Sequence, residues 1–133
     1  MQSPTNHVEQ TEMNILNYYK LIDKSLTHSH ANQPLQAIQI LVSLLHLVCK
    51  YTTHIAKQAH ATQVCFWDRL NMTWFQVLDH ADSVVDAEWR MVIQAIESCG
   101  NVLELYGLVD YPIGLQEDLI LARIKMLLSP RED

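Results

Sequence analysis

Seven histidines, three cysteines and a few spaced carboxylates are the residues with which this chain could do chemistry. The histidines are His7, His28, His30, His46, His54, His60 and His80. A helical metal site sets its ligands three or four residues apart, so that both face one ion. The successive spacings here are 21, 2, 16, 8, 6 and 20, with no His-Glu-x-x-His and no Glu-x-x-His. His28 and His30 share a linker and could chelate only weakly. His46 and His54 stand two turns apart, about 12 Å along a helix, too far to share an ion. The histidines therefore read as solvated, and no metal or other cofactor is expected.

Two carboxylate pairs have the i, i+3 spacing that aims both groups at one divalent cation: Glu9 with Glu12, and Asp79 with Asp82. A Mg²⁺-dependent all-α nucleotide pyrophosphohydrolase would use such pairs, with Glu in the second motif where this chain has Asp. Glu9 also has a sufficient role as a negative charge in a first helical turn. Nucleophilic catalysis has no support, because neither Gly-x-Ser-x-Gly nor a glycine-rich phosphate loop is present. Cys49, Cys65 and Cys99 are odd in number and fall on or beside apolar stretches. That pattern predicts buried, unpaired thiols in a reducing cytoplasm.

The elements that position these groups are helices. Glycine and proline number only 3 and 4 in 133 residues, and 49% of the chain is hydrophobic. Turn-rich sandwiches and barrels need more punctuation than this, and a disordered chain needs less apolar content. Periodicity predicts helices at about 7–28, 34–51, 64–80, 83–106 and 115–128, between tails at 1–6 and 129–133. Asn6, Asn32 with Pro34, and Ser83 read as helix starts. Gly107 followed by Leu108 reads as a left-handed stop. Gly100, inside a helix, implies a close crossing or a break.

The segment 34–51 is apolar around most of its circumference, leaving Gln39, Ser43, His46, Lys50 and Lys57 in a narrow polar sector. Helical character runs on to about Gln63, and Tyr51-Thr52-Thr53 is the weak point at which so long a helix would break. The fold expected is all-α: one domain over 1–133, a compact bundle of about five helices around 34–51. The longest nearly apolar run, Ala37 to Cys49, is 13 residues, short of the about 20 a membrane span needs. The polar first residues lack the pattern of a signal peptide. A cytoplasmic protein is expected.

Trp67, Trp74, Phe75 and Trp89 follow the buried stripes and read as core, with a ligand pocket as the alternative. Phe66 beside Trp67, and Trp74 beside Phe75, imply that some aromatic surface stays exposed or is covered by a partner.

Charge is the main functional hint. The net charge is −6, which argues against nonspecific nucleic-acid binding through the whole surface. Residues 1–66 carry four Lys against three acids, whereas 67–133 carry five basic residues against twelve acidic ones. Between Trp67 and Arg123 only Arg69 and Arg90 are basic. Asp79, Asp82, Asp86, Glu88, Glu117 and Asp118 are therefore the candidate partner-binding face. The function expected is a small non-enzymatic interaction protein — an adaptor, inhibitor or immunity-type protein — that docks its acidic half on a basic partner. Self-association as a homodimer is expected from the breadth of the apolar arc on 34–51. The alternatives are the Mg²⁺ hydrolase, with Glu9, Glu12, Asp79 and Asp82, and a small-ligand sensor with the aromatic pocket.

Overall fold

The computed structural model describes residues 15–110 and 113–128. The expected Asn6 cap, the carboxylates Glu9 and Glu12, and the tails at 1–6 and 129–133 lie outside the described residues. Among the described residues six helices follow one another: α1 (Ile15–His30), α2 (Pro34–Lys50), a short α3 (Thr52–Ala56), α4 (His60–Leu78), α5 (Asp86–Glu104) and α6 (Glu117–Leu127). The bundle is all-α, as the periodicity demands, and α2 is its centre, packed against α1, α4 and α5.

Helix α2 has the arc read from its sequence. Ala37, Ile38, Leu41, Leu44, Leu45 and Val48 are completely buried, while Gln39, Ser43, His46 and Lys50 are exposed. The long helix breaks where the β-branched pair weakens it: α2 ends at Lys50, and Tyr51 leaves helical geometry at φ −116° and ψ 29°. Thr52 satisfies the carbonyls freed there, its Oγ1 donating to Val48 O at 2.8 Å and Cys49 O at 2.9 Å. Lys57 thus belongs to the end of α3, not to the polar sector of α2.

Several boundaries differ from the sequence expectation, each for a local reason. Helix α1 runs through His28 and His30, so only Ala31, Asn32 and Gln33 connect it to α2. Asn32, at φ 61°, ends α1 and does not cap α2. Gln33 N donates to His28 O at 2.9 Å and Asn32 N to Ser29 O at 3.1 Å, the paired closure of a left-handed C-terminus. Pro34 does open α2, where its missing N–H is harmless. Ser83 starts nothing, because α5 begins at Asp86 with Val85 as its cap residue, and Val85 is exposed. Gly107 stops α5 as expected, at φ 69°, with Leu108 N donating back to Leu103 O at 3.0 Å and its side chain buried.

Side-chain contacts set the helix directions. Ser25 Oγ on α1 donates to Ala37 O on α2 at 2.8 Å, a close crossing of a short-linked antiparallel pair that small residues permit. Asp23 pairs with Arg69, and Tyr18 and Tyr19 meet Phe66, so α4 runs parallel to α1. Glu88 lies beside Leu35 and Cys99 beside Cys49, so α5 runs parallel to α2. Helix α6 follows α4, with Asn71 near Gln116 and Asp79 near Arg123. Of the five longer described helices, α2 and α5 therefore point one way and α1, α4 and α6 the other.

Asn71, 4% exposed, anchors the last helix. Its Nδ2 donates to Gly114 O at 3.0 Å and its Oδ1 accepts from Gln116 N at 3.0 Å. It thereby holds the chain just before α6 and satisfies one of the donors at that helix start. Among the described residues no helix is long and apolar enough to cross a membrane.

Candidate functional site

The six acids expected to form one face stand at two ends of α5. Asp79, Asp82, Asp86 and Glu88 surround the turn from α4 into α5. Glu117 and Asp118 open α6, which crosses α5 at Gly100. The 14 residues from Asp86 to Gly100 put these groups about 21 Å apart along the helix axis. At the first end Asp79 is bound to Arg123, whose guanidinium also sits over the Phe75 ring at 5.9 Å from its centre.

At the second end Glu104 and Asp110, which charge counting did not assign to the face, join the expected Glu117 and Asp118. Glu104 from the end of α5, Asp110 from the following loop, and Glu117 and Asp118 from α6 line a surface cavity of about 440 Å³ with Asn101 and Val109. Asp118 N donates to Asp110 Oδ1 at 3.1 Å, which fixes the loop against the helix start. Partial burial pushes the Glu117 carboxyl above the usual carboxylate range, and the charges of Asp110, Asp118, Glu97 and Glu104 push it further. A β-carbon at position 100 would fall on the Glu117 carboxylate, so Gly100 marks the close crossing its sequence implied. One sequence signal pointed here: Glu97 and Glu104 are seven apart, two turns along one helix face.

Among the described residues no basic side chain lines this cavity. Arg69 is committed to Asp23, with Nη2 2.7 Å from Oδ1, and Arg123 to Asp79. Among the described residues no three His, Cys, Asp or Glu side chains converge as a metal cage.

The aromatic residues are core. Trp67, Trp74 and Trp89 are at most 1% exposed, and Phe66 is fully buried against Tyr18, Tyr19 and Trp67. The expectation of exposed aromatic surface fails for the Phe66–Trp67 pair, because α4 is covered by α1 on one side and by α2 and α6 on others. Phe75 alone of the four candidate pocket residues is partly exposed.

The cysteines depart furthest from expectation. Cys49 of α2 and Cys99 of α5 are joined as a disulfide, with Cα atoms 5.8 Å apart across a sequence separation of 50. The third, Cys65, is exposed rather than buried. Parallel packing of α2 and α5 brings the first two together, which spacing could not reveal. Cysteine usage therefore no longer argues for a reducing compartment.

No known family, curated protein or solved structure matches the chain.

Proposed function

We propose that this protein is a non-enzymatic interaction module that docks acidic surface on a basic partner, and that it associates with itself as a homodimer. One observation carries the first part. Three separate segments bring Glu104, Asp110, Glu117 and Asp118 to one cavity, and among the described residues no basic side chain lines it. The helix dipole accounts for Glu117 and Asp118, which sit in the first turn of α6. It does not account for Glu104, at the negative end of α5, or for like charges that hold the Glu117 proton more tightly. A basic partner relieves that repulsion and is drawn in by the field of the cluster.

The Asp82–Asp86 end, about 21 Å away, is a second contact for the same partner or the edge of a larger footprint. Pull-down from native lysate at low and high salt, with wild type and two charge-reversed forms, tests this reading. Basic proteins are expected on the wild type at low salt, released by salt, because exposed charges are screened beyond about 8–10 Å near physiological ionic strength. Asp110→Lys with Asp118→Lys should lose them, Asp82→Lys with Asp86→Lys should slow their association, and Lys57→Glu should change little. Identical capture by all forms at all salt concentrations overturns the proposal. Cytoplasmic residence is tested by the thiol state of Cys49 and Cys99 in freshly trapped cells, since a reducing cytosol keeps thiols open.

A further inference from the structure

From Ser25 to Cys49 the chain carries no Asp, Glu, Lys or Arg, in a protein of which 18% is charged. The stretch covers the end of α1 and almost all of α2, so the outward stripe of α2 is polar without charge: Gln36, Gln39, Ser43 and His46 are all exposed. A groove flanks that stripe on each side. The one between α2 and α5 encloses about 320 Å³ and is mostly apolar, with Val42, Met91 and Ala95 in its walls. The one between α1 and α2 encloses about 410 Å³. Gln39 and Ser43 belong to both, so the two grooves form one surface. At its α5 edge Met91 is 66% exposed and Val85 62%. Depletion of charge at the centre, with methionine beside it, is the composition of a protein interface core.

We infer that this α1–α2–α5 face joins two copies of the chain about a twofold axis running parallel to α2. The inference rests on the self-association part of the proposed function and adds its surface and symmetry. The charges at the rim select the second copy and the axis. Lys24 borders the groove on the α1 side, and Glu88 borders it on the α5 side. Both lie at the same level of α2: Ser25 next to Lys24 bonds to Ala37, and Glu88 shares a cavity wall with Leu35 and Gln36. Neither has an ion-pair partner among the described residues. An axis parallel to α2 lays α1 of one copy over α5 of the other, so Lys24 meets the second copy's Glu88 twice. An axis across α2 would lay α1 on α1 and α5 on α5, and like charges would face each other. Size is sufficient: α2 is 17 residues, about 25 Å long, with neighbours at about 8–10 Å on both sides. The grooved face approaches the roughly 800 Å² a side of a stable complex, about a tenth of the 7973 Å² surface.

Self-cross-linking decides it. In a Cys65→Ser background, which removes the exposed thiol, Gln36→Cys, Ser43→Cys and His46→Cys are each oxidised and run on non-reducing gels. A parallel axis makes every one of these positions face its own copy, so all three should give covalent dimer, and Gln76→Cys on the exposed side of α4 should not. Light scattering should show Lys24→Glu and Glu88→Lys each weakening the dimer at least fivefold, with the double exchange restoring it. A monomer at every concentration overturns this inference and the self-association reading together. A dimer with no cross-link on α2, or with only one of the three positions reactive, overturns the inference alone.

Discussion

Reducing the Cys49–Cys99 bond removes a tether without removing any packed group, which makes it a clean perturbation. The bond closes a loop with a sequence separation of 50. In the chain-entropy treatment a tether of that length withholds about 14 cal/mol/K from the unfolded chain, or about 4 kcal/mol at 25 °C. For a chain of this size a destabilisation of 1 kcal/mol moves the thermal midpoint by roughly 3–5 °C, so full reduction should lower it by about 12–20 °C. The assay is urea and thermal unfolding with and without a phosphine reductant, read by tryptophan fluorescence from the three buried indoles. Thiol titration of the denatured chain should count one thiol before reduction, from Cys65, and three after it. The urea m-value should rise on reduction, because an untethered denatured chain exposes more surface. A Cys49→Ser, Cys99→Ser form should unfold near the reduced wild type and ignore the reductant. If the thiol count rises from one to three while the unfolding free energy falls by less than about 1 kcal/mol, the tether argument is wrong. If three thiols are titrated from the start, the pairing itself is absent.

Three further outcomes follow from the packing and charge. Leu45→Ala should lose about 2–5 kcal/mol, since its side chain is fully buried, whereas Lys57→Ala at the exposed end of α3 should stay within about 0.5 kcal/mol; equal urea midpoints would mean the phase of α2 is misread. Asn71→Ala strands Gly114 O and Gln116 N, and at roughly 1–3 kcal/mol for the buried carbonyl and about 1 kcal/mol for the part-buried amide it should destabilise the fold by about 2–4 kcal/mol, with faster hydrogen exchange at the start of α6; unchanged exchange there would refute the anchoring role. Glu117→Gln should stabilise the protein at pH 7, because the folded state raises this carboxyl and so holds a proton more tightly than the unfolded chain. The penalty it removes grows as pH rises from the ordinary carboxylate value through the raised one, so the gain should vanish below about pH 4; a gain that is independent of pH between 4 and 7 would contradict the charge argument.

The sequence by itself determined what depends on neighbours a few residues apart. The apolar arc of α2, its exposed Gln39–Ser43–His46 stripe, the break at Tyr51, Pro34 at a helix start and the left-handed stop at Gly107 are all local. Each follows from helical periodicity or from the dihedral preference of one residue. Asn32 and Ser83 are local features that the sequence leaves ambiguous: asparagine suits both a helix cap and a left-handed end, only the closure onto His28 O and Ser29 O selects the second, and Ser83 starts no helix because α5 begins at Asp86. What the tertiary structure alone decided depends on which helices become neighbours and which way they run. Parallel α2 and α5 bring Cys49 to Cys99. The return of α6 across Gly100 adds Glu117 and Asp118 to Glu104 and Asp110, and leaves Asp82 and Asp86 at the far end of α5. Cover from several helices hides Phe66 and Trp67 although they point in different directions. Periodicity states how wide an apolar face is and says nothing of its partner, so a charge count locates acids in the chain and only the packing of helices locates them in space.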